Sequence, residues 1–361
     1  MIKIKSEFLE KSYAKGLSLF VADLTLLVCA ISVALAAESV VLRLAAAVLA
    51  GLIMALLFLV GHDADHGSLT KNRRLNRLLG TIAFLPVLHP YNLWVLVHHH
   101  HHHRYTNLAG EEYDYVWAPY SKADFDELPK WRQVLERFYR SPLGHGAYYM
   151  VEIWWKRMFF PRRRYIGGKY IKSYASDMVV LAVFLTIEVA AIIALAQSGT
   201  IAQPWWSALI FAIVIPHLVW NWYVGFFTLL QHNHPDIRWY DNIEEWKKES
   251  RPPGDTARFV FPRFINLFAH GVDEHGGHHL SPNVPLYNLG KVQSFIETEH
   301  PGAMPIYRWS PSAYLEILKH CRLYDYRAHQ WLDFDGRPSQ PLSQAKYPAA
   351  TSIRLPRVPL T

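Results

Sequence analysis

Apolar residues in this chain gather into long runs, and four of the runs are long enough to cross a bilayer. A hydrocarbon core takes about 20 apolar residues as helix. The runs cover roughly residues 17–37, 44–60, 178–197 and 204–230. A fifth apolar stretch, from Leu75 to Val97, is broken by Pro86 and Pro90. It is expected to lie at the interface or re-enter rather than cross, because proline interrupts the helical hydrogen-bond ladder.

The four runs form two close pairs, which predicts two helical hairpins. The first link (residues 38–43) carries one basic residue, Arg43, and the second (198–203) carries none. Lys3, Lys5, Lys11 and Lys15 precede the first run, and Lys156, Arg157, Arg162, Arg163 and Arg164 lie between the pairs. This bias puts both termini and the middle segment on the cytoplasmic side. Segments 98–177 and 231–335 are polar, aromatic and basic, and are expected to form a cytoplasmic helical cap. The fold class is therefore an all-α membrane protein with four transmembrane helices, a single domain over residues 1–335. The Pro- and Ser-rich tail, 336–361, is expected to be loosely ordered.

The net charge of +7 reads as membrane-flanking lysine and arginine facing anionic lipid, not as a nucleic-acid surface. No cleavable leader is expected, since the first run is too long and contains Asp23. Two cysteines, Cys29 and Cys321, exclude a disulfide framework and a built-in thiolate-bound iron–sulfur cluster.

Histidine changes the picture most. Of 20 histidines, most fall in four clusters: His62 and His66; the run His98 to His103; His232 and His234; and His275, His278 and His279. On a helix, residues three and four apart share a face. His62 and His66 make such a pair, and His99/His102/His103 and His275/His278/His279 each make a triplet. The first cluster ends the second run and the third ends the fourth run, so all four reach one membrane face. A lone His-x-x-x-His pair occurs by chance, but four clusters on one face indicate metal binding. Imidazoles without thiolates suit Zn, Cu, Fe or Ni. Eight or more exceed the shell of one tetrahedral zinc and suit two six-coordinate ions with room for oxygen, which points to iron. His217 and Glu188 lie within the apolar runs, where such groups usually face inward.

Taken together, these motifs resemble the membrane fatty acid desaturases, most of all the bacterial acyl-lipid type related to the delta-12 and omega-3 enzymes. The likeness rests on Gly61-His62-Asp63, His66-Gly67-Ser68, His102-His103 with Thr106-Asn107, Leu230 to Pro235, and His278-His279 leading to Val284-Pro285-Leu286-Tyr287-Asn288-Leu289. It runs from about residue 50 to 295. Asp65 replaces the usual small residue of the first box, and Val95 stands where Arg is common.

The resemblance implies two iron ions held by His62, His66, His99, His102, His103, His275, His278 and His279. A ninth ligand would be His232 or His234, with His232 favoured. It makes His98, His100 and His101 neighbours or bystanders. It implies insertion of a double bond into a lipid acyl chain, using O2 and two electrons from an external donor of the ferredoxin or cytochrome b5 type, in a bacterial inner membrane. The chain would lie in a dry tunnel, for which Trp205, Trp206, Trp220, Trp222 and Tyr223 are candidate linings. The rivals are a related di-iron lipid hydroxylase, carotenoid ketolase or alkane monooxygenase and, outside this class, a metal-binding membrane transporter.

Overall fold

The computed structural model of the protein describes residues 2–114 and 116–339. Most of the expected tail, from residue 340 onward, lies outside them. Four helices are long and apolar enough to cross a membrane: Tyr13–Ala36, Val40–Asp65, Tyr170–Gln197 and Trp205–His232. The first two open on serine caps: the Ser12 and Ser39 side chains accept from the amides of Lys15 and Leu42. Such caps satisfy N–H groups that have no partner within the helix.

Each of the four helices extends past its apolar run. The second continues through the polar Gly61–Asp65 segment, and the fourth ends at His232. The third belongs to a longer helix, Arg163–Gln197. Hydropathy marks where a chain is greasy, while the helix persists as long as its backbone stays bonded. Within the fourth helix a π-turn, Ile210–Val214, ends two residues before Pro216. Proline offers no N–H and its ring crowds the carbonyl four residues back, so the ladder widens there.

Small residues set the helix packing. A Cβ at Gly51 would lie 2.6 Å from both the Pro216 carbonyl oxygen and Val219 Cβ, so the second and fourth helices meet backbone to backbone. The second is the most enclosed of the four, and the third is the most outward-facing.

The broken stretch after the second helix forms two pieces, Arg73–Phe84 and Tyr91–Val97. Neither reaches crossing length. Asp177 of the third helix caps the second piece, accepting from the amides of Asn92 at 2.8 Å and Leu93 at 3.3 Å.

The fold is not helical throughout. Arg258–Val260 pairs in parallel with Ile306–Arg308, and Leu323–Asp325 pairs antiparallel with Gln330–Leu332. These three-residue ribbons were absent from the all-α expectation because they are too short to show alternation. Residue Ser339 folds back on the second ribbon, its amide donating to the Trp331 carbonyl.

Candidate metal centre

Four elements converge on one point. The helical turn between His62 and His66 brings their rings to 4.8 Å. The turn that follows is fixed by Asp63, whose Oδ1 accepts from Ser68 Oγ at 2.5 Å and from the Leu286 amide at 3.1 Å. The histidine run is a π-helix, His98–His103, in which residues four and five apart come into line. The fourth helix delivers His232. The last box begins after Gly271, whose φ of 77° suits glycine, and forms the short helix His275–Leu280.

The side chains assemble into two groups. One nitrogen from each of His62, His66, His98, His103 and His278 lies within 4.8 Å of the others. Here Nε2 of His98 is 2.7 Å from that of His62 and 3.0 Å from that of His103. The second group is His102, His232, His275 and His279. Its His275 Nε2 is 3.0 Å from His232 Nε2 and 2.9 Å from His279 Nε2. The groups adjoin, with the His103 and His279 rings 4.6 Å apart. Metal–imidazole bonds of about 2.0–2.1 Å at right angles leave adjacent nitrogens about 3 Å apart. The spacing therefore suits nitrogens that share an ion.

The opposite ring nitrogens are held from behind. His232 Nδ1 meets Asn107 Oδ1 at 3.0 Å, and His279 Nδ1 meets Thr106 Oγ1 at 3.2 Å. Asn107 has a left-handed φ of 60°, which asparagine tolerates. Its amide donates to Asp114 Oδ2 at 3.0 Å, and its Nδ2 to the Asp255 carbonyl at 2.6 Å. Asp114 is fully buried and stands 3.3 Å from His102 Nδ1. Such partners fix the tautomer and aim Nε2 at the centre. Asp114 went unnoticed in the sequence because it lies outside every box.

Two expected residues are placed elsewhere. His99 lies outside both groups, in a third cluster with Asp65 and His66, and His98 takes the position expected of it. The His99 Nε2 is 3.2 Å from Asp65 Oδ2, and its ring stacks on His66 at 4.4 Å. The reason is the π-turn: an α-helical count selects His99, whereas the wider turn aligns His98 with His102 and His103. His234 is also outside. It stacks on Tyr307 at 4.0 Å, and its Nδ1 accepts from the Asp236 amide.

Burial, reinforced by neighbouring imidazoles, holds His66, His98, His103, His275 and His279 well below the usual histidine value. The same causes bring His278 down to about 3. These rings are neutral at pH 7, the form that ligates metals.

An apolar cavity of about 90 Å³ opens onto the centre. Phe58, Trp94, Tyr149, Ile153, Val224 and Phe227 line it, and His62, His98, His102 and His275 face it. Of the aromatic candidates, Tyr223 lines the cavity. Trp220 is buried behind it, packed on Phe58 and Tyr149. Trp205, Trp206 and Trp222 are exposed on the outer surface, as interfacial aromatics are.

An apolar cavity ending on two histidine groups able to hold metal, framed by membrane helices, defines the site. Residues 39–310 match the family model for fatty acid desaturases, and the chain belongs to that family. It is accordingly an oxygen-dependent fatty acyl desaturase. It is 26% identical over 278 residues to the sn-1 oleoyl-lipid 12-desaturase of Picosynechococcus sp., covering 77% of this chain and 75% of the relative. The enzyme of that name from Synechocystis sp. is 28% identical over 277 residues, covering 74% and 72%. The chloroplastic omega-6 fatty acid desaturase of Spinacia oleracea is 27% identical over 301 residues, covering 80% of this chain and 61% of the relative.

Proposed function

We propose that the two histidine groups each hold one iron ion, and that the cavity presents a glycerolipid acyl chain to the pair. His62, His66, His98, His103 and His278 would hold one ion, and His102, His232, His275 and His279 the other. The observation that carries this reading is the meeting of two imidazole groups at the end of an apolar cavity. Iron so ligated would supply the oxygen-activating chemistry that removes hydrogen from adjacent CH2 groups. The chain's own residues do the rest. The walls from Phe58 to Phe227 exclude water and straighten the acyl chain. His62, His98, His102 and His275 fix where along that chain oxidation falls. Asp114, Asn107 and Thr106 keep the rings aimed.

The helices read as two hairpins, with the centre on the cytoplasmic side of a bacterial inner membrane; the lysine and arginine bias supports that orientation. Electrons come from a separate carrier of the ferredoxin or cytochrome b5 type, consistent with two cysteines in the chain. A basic cytoplasmic face would attract an acidic carrier. The relatives' names, oleoyl-lipid desaturases, favour a glycerolipid over a thioester as acyl carrier.

The test is expression in a host with a simple lipid profile, followed by mass spectrometry of its fatty acids and metal analysis of the purified protein. A new double bond and two irons per chain support the proposal. An added oxygen would assign a hydroxylase, and a single zinc would remove the iron reading.

A further inference from the structure

Asp23 is a carboxylate within the first membrane helix, and the metal centre does not account for it. It is 3% exposed, and its Oδ2 lies 2.8 Å from His270 Nε2. A charged group in a lipid-spanning segment is costly and usually functional. His270 is unusual as well: its φ is 43°, a left-handed conformation that non-glycine residues seldom hold without cause. Behind the pair lies a second cavity of about 40 Å³, with His270, Asp63, His62, His275 and His278 on its polar side and Leu59, Val272, Leu286 and Leu289 on the other. A water needs roughly 10–15 Å³ of such space and polar partners, so this cavity has room for more than one. Asp63 Oδ2 is buried without a partner, an acceptor suited to such a water. Glu274 is engaged by Arg258 at 2.8 Å, and the Asp23–His270 pair ties the first helix to the cavity wall.

We infer that His270, oriented by Asp23, passes protons through this water cavity to the histidine centre. The inference rests on the desaturase reading above. One turnover joins O2, two electrons from the carrier, two protons and the two hydrogens taken from the acyl chain. It yields one double bond and two waters. The electrons and the acyl chain have their own routes, and the two protons need one. With Nε2 held by Asp23, the other ring nitrogen, Nδ1, would take up a proton and pass it to a water in the cavity, while the Asp23 carboxylate stabilises the imidazolium in between.

The test uses iron-loaded, full-length protein and the variants His270→Ala, Asp23→Asn and Asp23→Glu. Proton uptake on anaerobic reduction is followed with an indicator dye, alongside turnover, solvent deuterium isotope effect and iron content. With iron content unchanged, His270→Ala is expected to slow proton uptake and turnover on the order of 10²-fold and to raise the isotope effect. Added imidazole should restore both rates. Asp23→Asn should show the same defect, and Asp23→Glu should retain function. Uptake at the wild-type rate in folded His270→Ala or Asp23→Asn would overturn the inference. So would a loss that tracks iron content and that imidazole leaves unrescued, since that marks a structural tie. If wild-type protein takes up protons on reduction but makes no double bond, the desaturase reading fails separately.

Discussion

His103 and His278 are 175 residues apart in sequence, yet their Nε2 atoms lie 3.0 Å apart. Two nitrogens rarely meet at that distance unless a proton or a metal ion lies between them. The contact joins the second and last histidine boxes.

The exchange of His98 for His99 gives the sharpest test. His98→Ala is expected to lower bound iron and abolish double-bond formation. His99→Ala, which loses the Asp65 contact and the stacking on His66, should keep most of its iron and a measurable activity. Iron per chain and the fatty acid profile of the two variants check this, and the reverse ranking would restore the α-helical register.

Asp114→Ala should loosen His102 together with the Asn107 and Val116 backbone, whose amides this buried carboxylate accepts. Removing a partner behind a ligand typically costs about 10- to 100-fold in metal affinity or activity. Chelator competition against wild type measures it.

The cavity predicts a steric phenotype separate from metal loss. Val224→Phe places a ring where the acyl chain would run. Iron content should stay at the wild-type level while desaturation of long chains falls sharply. Lipid analysis beside metal analysis separates the two effects.

Gly51→Leu tests the packing of the second and fourth helices. Since even a Cβ would stand 2.6 Å from the Pro216 carbonyl oxygen, the helices must separate. Overpacking costs about 1–3 kcal/mol or more. Thermal denaturation in detergent should show the loss, and the histidine groups at the ends of both helices should bind iron less well.

Acid sensitivity has a defined sign at His145. This ring is fully buried, and burial lowers its value to about 4, while its Nδ1 stands 2.9 Å from Tyr314 Oη. The unfolded chain then binds a proton that the folded chain refuses. Stability should fall as pH drops from about 6.5 towards 4, by up to about 1.4 kcal/mol per pH unit. His145→Gln should flatten that slope in pH-dependent denaturation.

Much of this protein was legible in the sequence. The four membrane helices follow from apolar length, because backbone groups in lipid must bond within their own segment. The convergence of four histidine clusters follows from two helices ending in His62/His66 and in His232. Tertiary structure decided the rest. Which members of an unbroken histidine run face the centre depends on a π-turn that six identical residues cannot signal. His232 and His234 are both buried near one helix end, but only His232, backed by Asn107, meets the histidine groups. The grip of Asp114 and the pairing of Asp23 with His270, 247 residues away, join positions that no local periodicity connects. Periodicity reports a residue's face on its own element, whereas contact across elements depends on how those elements pack.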